Sequence, residues 1–336
     1  MKLCVSCGKE IQDAARICRF CRAEQPVNGA YLLENVRSRG KLKCSGGIGK
    51  SMGIFVAADI AVLLVLLLAA DAVDPESSEI VFCFALLFGC TVPFIMLFFS
   101  KTIAKRQFDI KTVNPDAPGN DQERFLLELI SALAGRAGLP VVPEIGIYRS
   151  EEANAFATGR GKSDALIAFS SGLLERMPEE YAAAVAAHET AHIANGDMLT
   201  MTLLDGLINS AVVVADFAIE ETGWYEKTEK ESCLLVGIIH FVIVNVLMLA
   251  GNLVLLWFSR HREFEADETA ACLVSPEAMI GALHALDEDD KAGSRTDADA
   301  PAAAMMISAS PAWTDLFSTH PSLERRIRQI EFKFKK

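Results

Sequence analysis

The chain has 336 residues, enough for about two domains, with 51% apolar residues and a formal net charge of −12. That apolar content excludes a wholly disordered chain, and the acidic balance excludes a general nucleic-acid binder, which would show a basic face. The apolar residues fall in long blocks, which excludes a simple water-soluble enzyme.

The N-terminus carries Cys4-x-x-Cys7 and Cys18-x-x-Cys21, ten residues apart. Each pair can present two thiolates on one knuckle, and two knuckles close a tetrahedral four-cysteine zinc site. Gly8 follows the first pair, where a positive φ is useful. A disulfide or redox pair fits poorly with the cytoplasmic terminus derived below. So small a unit has little core and takes its folding energy from the metal. It could bind a partner, sense metal or redox state, or cap the chain. The remaining cysteines, Cys44, Cys83, Cys90, Cys233 and Cys272, are scattered and read as free thiols. Residues 26–52 read as a basic linker. Within it, Gly46-Gly47-Ile48-Gly49-Lys50-Ser51 imitates the end of a phosphate-binding loop, but the required leading glycine is Cys44 and no buried strand precedes it. No nucleotide is expected.

Four apolar blocks follow: Gly53–Ala70, Ile80–Phe99, Met198–Ile219 and Leu234–Phe258. About 20 apolar residues in a helix cross a bilayer core. The second and fourth blocks qualify easily. The first carries Asp59, which must face the bundle or an interface. The third carries Asp205 and Asp216, which must face protein or water; a buried or re-entrant helix is its alternative reading. Arg37, Arg39, Lys41, Lys43 and Lys50 precede block one, Lys101, Lys105 and Arg106 follow block two, and Arg260 and Arg262 follow block four. The two intervening loops are acidic, with Asp71, Asp74, Glu76 and Glu79 in one and five glutamates against Lys227 and Lys230 in the other. Basic flanks thus recur on one side, placing both termini and residues 101–197 in the cytoplasm. Block one lies too far along the chain for a cleaved signal peptide and reads as an anchor.

Residues 108–175 read as the first part of a soluble domain. Gln122–Ala137 forms an amphipathic helix, and Val141–Tyr148 and Ala165–Phe169 form short strands whose sheet edge could pair with an extended substrate. Met177-Pro178-Glu179-Glu180 then opens a helix, since proline suits the first turn and acids favour the N-terminus. On this helix lies His188-Glu189-Thr190-Ala191-His192. The spacing puts His188 and His192 one turn apart on one face, as two imidazoles on one metal require. Glu189 is offset by about 100°. It reaches a zinc-bound water without ligating the metal, takes the water's proton and returns it to the leaving amine. The helix ends near Asn195-Gly196, directly before block three.

Zinc needs a third protein ligand and an open position. The stretch Arg260-His261-Arg262-Glu263-Phe264-Glu265-Ala266-Asp267 begins a helix directly after block four. Glu263 and Asp267 are one turn apart, so one could ligate while the other accepts a hydrogen bond from a ligand histidine. His261 is a rival ligand, while Glu265 and Glu268 point elsewhere. If blocks three and four form a hairpin, both metal-binding helices return to one cytoplasmic interface. In block four, His240 and Asn245 read as polar groups that bond neighbouring helices. Residues 287–311 are acidic and alanine-rich, a mobile lid or a plain insertion, and His284 reads as a helix-surface residue.

Four stretches carry a strong resemblance to the HtpX-type membrane metalloproteases, relatives of the CAAX prenyl-protease metalloenzymes. They are Asn154-Ala155-Phe156-Ala157-Thr158-Gly159, HETAHIANGDMLTMTLLDGLINS at 188–210, FSRHREFEAD at 258–267 and SPAWTDLFSTHPSLERRI at 310–327. The resemblance implies a gluzincin fold, zinc held by His188, His192 and Glu263, Glu189 as the base, and Asp267 as the acid behind a ligand histidine. It also implies endopeptidase action on misfolded membrane proteins. In that family the Asn154 segment lies by the edge strand beside the substrate, and His320 and Arg326 fall in a C-terminal motif near the cleft. The ribbon at 1–25 is the departure from the family pattern and bears on regulation and substrate choice.

The expected protein is therefore an α+β membrane protein. It has a zinc ribbon (1–25), a basic linker (26–52), transmembrane helices one and two (53–100) and a first cytoplasmic protease segment with the HExxH helix (101–197). Transmembrane helices three and four (198–258) and a second cytoplasmic segment with the glutamate ligand and C-terminal motif (259–336) complete it. It would hold two Zn2+, one catalytic and one structural on Cys4, Cys7, Cys18 and Cys21, and would act on polypeptides at the bilayer of the cytoplasmic membrane. A selective processing protease for lipidated or signal peptides, and a non-catalytic adaptor recruiting partners through the ribbon, are the alternatives.

Overall fold

The computed structural model describes residues 2–3, 9–11, 19–20, 22, 29–38, 40, 75–221, 233–291 and 321–334. The four ribbon cysteines, apolar block one, His320 and most of the 287–311 segment lie outside the described residues. The chain divides into two compact units, one of residues 1–45, 100–197 and 260–336, the other of 46–99 and 198–259.

In the first unit, β1 (Lys2–Leu3) and β2 (Glu10–Ile11) form an antiparallel pair. Helix α1 (Gly29–Ser38) lies inside the stretch expected to be linker. Its Leu32, Leu33 and Val36 recur at helical spacing and are buried, and α1 packs on α3 (Asp121–Ala137). Helix α2 (Pro75–Gln107) carries apolar block two and continues past it.

Helix α3 starts where expected because Asn120 caps it. The Asn120 side chain accepts the Glu123 N–H, and the Glu123 carboxylate reaches back to the Gly119 N–H. It stops at Gly138, which takes the left-handed conformation and donates its N–H to Ala134. Its inner face, Leu126, Leu129, Ile130 and Leu133, is wholly buried.

A mixed sheet has the order β3-β4-β6-β5, from β3 (Lys111–Thr112), β4 (Glu144–Tyr148), β5 (Ala155–Gly161) and β6 (Asp164–Ser170). β4 and β6 run parallel, Ile145 opposite Ile167, while β5 is antiparallel to β6 with Ala157 opposite Ile167. β5 thus stands at the sheet's edge. A bulge between Gly159 and Gly161 shifts its register before the last pair, Gly161 opposite Asp164; Gly159 has φ +137, and a Cβ there would meet the Asp164 carbonyl oxygen at 2.2 Å. Phe108, Tyr148 and Phe156 pack with ring centroids 5.2–5.8 Å apart, joining the end of α2 to the sheet. Helix α4 (Ser171–Arg176) follows β6 at once, capped by Ser170.

Helices α6 (Asp197–Glu221) and α7 (Cys233–Leu273) carry blocks three and four, and the second unit takes them from residue 198 and as far as residue 259. Each holds a stretch, Asp197–Val214 and Gly237–Leu273, long and apolar enough to cross a membrane. They pack through Leu204 and Phe258, with Met201 and Leu255 alongside. At Gly251 the helices come so close that a Cβ would lie 2.5 Å from Ile208. The Asn245 amide donates to the Phe241 carbonyl of its own helix, where a bond between helices was expected. The larger difference is that α7 does not end with block four. It runs unbroken through Glu263 and Asp267, because Ser259–Arg262 contains no glycine or proline to stop it. Arg136 of α3 donates to the Cys272 and Leu273 carbonyls at its end. Helices α8 (Pro276–Lys291) and α9 (Leu323–Phe334) complete the described chain, with His284 exposed on α8.

Candidate active site

Helix α5 (Glu179–Asn195) forms the floor of the site. Pro178 precedes it, Glu179 and Glu180 occupy its first turn, and an alanine run follows. Residues Ala182 to Ile193 are all buried. Their small side chains let α3, α8 and β5 close around the helix on several sides. Gly196, at φ +81, donates its N–H to the carbonyls of His192 and Ile193 at 3.1 Å and stops the helix. The chain can then turn and begin α6 at the next residue, Asp197.

His188 and His192 project from α5, and Glu263 reaches them from α7; all three are buried. The two Nε2 atoms lie 3.1 Å apart, and the Glu263 carboxylate oxygens lie 3.3 Å from His192 Nε2 and 3.5 Å from His188 Nε2. Each imidazole is held from behind. His192 Nδ1 stands 2.6 Å from Asp197 Oδ2, and His188 Nδ1 stands 3.0 Å from Asp267 Oδ1. A carboxylate can only accept, so each Nδ1 carries a proton, and with a metal bound each Nε2 would turn a lone pair inward. The two Nε2 atoms and a carboxylate therefore converge on one another. That acceptor set suits a cation. Donor atoms about 2.0–2.1 Å from a tetrahedral zinc stand about 3.3 Å apart, which matches the three separations.

The charges around this cluster are layered. Arg326 of α9 is buried and grips Asp267 with both arms, Nε to Oδ2 at 2.7 Å and Nη2 to Oδ1 at 2.6 Å. Its Nη1 lies 3.6 Å from Glu263 Oε2. Burial would raise Asp267, but the Arg326 guanidinium and then His188 outweigh it and hold the carboxyl below its ordinary range. Burial lowers both histidines, yet Glu263 and Asp197 push His192 up to about 10, and Asp267 and Glu263 raise His188. In the protein alone these carboxylates draw protons onto the imidazoles. Glu189 is buried beside them and raised, first by burial and then by Glu263. His188 and His192 pull the other way, and so does the Ala157 backbone N–H, on edge strand β5, which hydrogen-bonds the Glu189 carboxylate.

The structure thus brings together His188, Glu189, His192, Glu263, Asp267 and Arg326. Asn154 is buried just before β5, its N–H donated to Ser170 Oγ and its carbonyl taking the Ser170 N–H, both at 2.9 Å. His261 is not part of the cluster; it lies 4.0 Å from Glu265, four residues along its own helix. Sequence reasoning missed Asp197 and the Ala157 N–H. The signal for Asp197 was an acid directly after the glycine that stops the histidine helix. For Ala157 no signal existed, since a backbone group leaves none.

Residues 120–333 match the model of peptidase family M48. The chain is 38% identical over 283 residues to Protease HtpX of Haemophilus influenzae strain PittEE, covering 82% of this chain and 97% of that protein. It is 36% identical over 296 residues to Protease HtpX of Acinetobacter baumannii strain AYE, covering 83% and 97%. The crystal structure of S. mikatae Ste24p is similar in fold, with a TM-score of 0.55 at 20% identity, covering 87% of this chain and 68% of that one.

Proposed function

The chain belongs to peptidase family M48, a family of zinc metalloproteases, and we propose that it is an endopeptidase of the cytoplasmic membrane that cleaves misfolded or damaged membrane proteins. One observation carries the reading: the two imidazole Nε2 atoms and the Glu263 carboxylate converge at 3.1–3.5 Å, with buried Glu189 beside them.

His188, His192 and Glu263 would hold the zinc, which when bound supplies Lewis acidity to the scissile carbonyl and to the attacking water. Glu189 takes the proton of that water and passes it to the leaving amide nitrogen. The Ala157 N–H fixes one end of the Glu189 carboxylate, so the base stays aimed without ligating metal. An extended substrate adds to the edge of β5 by backbone pairing, which makes recognition tolerant of side-chain identity and suits unfolded segments. Asp267, pinned by Arg326, keeps His188 in the tautomer a metal requires.

Exposed apolar side chains support the membrane location. On α7, Ile238, Ile239, Phe241, Val242, Ile243 and Val246 are exposed, spread over about 200° of the helix's circumference. On α2, Val92, Ile95, Met96, Phe98 and Phe99 are likewise exposed. Exposed apolar faces this broad suit an apolar solvent. The basic flanks described above support an active site and both termini on the cytoplasmic side. The N-terminal cysteines would bind a second, structural zinc.

The test is cleavage of casein by detergent-purified protein, prepared under chelation and then given zinc, with Glu189→Gln in parallel. Zinc-dependent cleavage that the substitution abolishes is expected. A folded, zinc-loaded wild type that cleaves nothing would overturn the broad-specificity reading.

A further inference from the structure

We infer that Asp197 is a positioning residue that sets the direction in which His192 offers its lone pair. The inference rests on the metal site proposed above. Asp197 is wholly buried, and its Oδ2 stands 2.6 Å from His192 Nδ1. Its other oxygen, Oδ1, is buried and makes no hydrogen bond among the described residues, so the carboxylate is committed to the imidazole. It does not compete as a ligand. It meets His192 at Nδ1, on the opposite side of the ring from the Nε2 that faces Glu263 at 3.3 Å.

The two histidines are thus supported unequally. Asp267 divides its charge between His188 and the buried Arg326 guanidinium, 2.6 and 2.7 Å away. Asp197 has no lysine or arginine paired with it among the described residues and turns its whole charge on His192. A carboxylate accepting the far N–H makes an imidazole a better donor to metal and locks its rotation. The backbone explains how Asp197 arrives there. Gly196, at φ +81, closes α5, and α6 starts on the following residue, so Asp197 folds back one turn beneath His192. Asp197 is therefore also the first residue of an apolar helix, and a displacement of that helix start would be felt at a zinc ligand.

A role in starting α6 alone would use the same acid, because acids favour helix N-termini. The two roles separate in the metal. Full-length protein in detergent would be titrated with zinc against a chromogenic chelator, and its cobalt(II) form examined by visible absorption. The proteins are wild type, Asp197→Ala, Asp197→Asn, His192→Ala, and Asp205→Asn as a control farther along α6. Asp197→Ala is expected to weaken the His192-dependent site about 10–100-fold and to alter the cobalt bands. Asp197→Asn should lose less, because its amide oxygen still accepts the Nδ1–H, and Asp205→Asn should match wild type. Wild-type affinity and an unchanged cobalt spectrum in Asp197→Asn and Asp197→Ala would overturn the inference; if the alanine variant does not fold, an unchanged spectrum and affinity in Asp197→Asn suffice. Should wild type itself bind no metal that His192→Ala loses, the metal-site reading fails, and this inference with it.

Discussion

Replacing Arg326 with methionine tests whether α9 is held to the site by a buried ion pair. Methionine keeps an apolar stem but removes two hydrogen bonds, at 2.6 and 2.7 Å, and leaves the buried Asp267 charge only its contact with His188 Nδ1. Arg326 is 1% exposed and Asp267 0%, so water cannot solvate what is left. Removing one partner of a buried pair costs about 3–5 kcal/mol. The exposed pair Arg37–Glu128, at 2.8 Å, is worth about 0–1 kcal/mol. For a unit of this size about 1 kcal/mol moves the melting temperature by about 2–4 °C, so Arg326→Met should lower it by about 6–20 °C and Arg37→Met by about 4 °C at most. The double variant Arg326→Met/Asp267→Asn removes that buried charge and should melt above Arg326→Met alone. The assay is thermal unfolding of detergent-solubilised, zinc-saturated protein, followed by intrinsic fluorescence. An Arg326→Met protein that melts with Arg37→Met, or a double variant whose losses simply add, would refute the reasoning.

Wild type should carry two zinc ions per chain by elemental analysis; Cys4→Ser/Cys7→Ser should carry one and keep proteolysis if the ribbon is structural. Gly196→Ala forces a side chain into the left-handed region at φ +81, costing about 1 kcal/mol, and should also lower zinc affinity because Asp197 follows it; unchanged zinc affinity would detach the turn from the site. The Lys101 ammonium, then Arg160, hold the Asp164 carboxyl below its ordinary value. Burial raises Glu144, but Lys101 and Lys105 outweigh it, and Lys101 is itself raised by both carboxylates against its burial. The carboxylates' contribution is present above about pH 4 and lost as pH falls through their lowered values; that of Lys101 is present below about pH 10.4 and lost above it. Lys101→Met should therefore melt below wild type at neutral pH, and the gap should close toward pH 2–3; a gap independent of pH would place the effect in packing.

The parts legible in the sequence were those written in local spacing. His188 and His192 four apart, the amphipathic spacing of Gln122–Ala137, and the glycine stop at Gly196 each depend on neighbours a turn or so away. The continuation of α7 past Phe258 was misjudged because apolarity changes there while helix propensity does not. Helix α1 was hidden by its basic flanks, although Leu32, Leu33 and Val36 mark a buried face. β5 was missed because two glycines and a bulge blur its alternation. The Arg326–Asp267 pair spans 59 residues, and only the fold brings it together.

The uninterrupted 41 residues of α7 fix a phase as well as a length. Each residue added to an α-helix advances it by about 1.5 Å and turns it by about 100°. An insertion of one residue between Leu255 and Glu263 would swing Glu263 a quarter-turn away from the histidines while leaving Gly251 against Ile208. Four residues would nearly restore its bearing, but about 6 Å too far along the axis. The apolar stretch and the glutamate therefore share one helical register, and an extra residue upstream of Gly251 would leave the spacing from Gly251 to Glu263 unchanged.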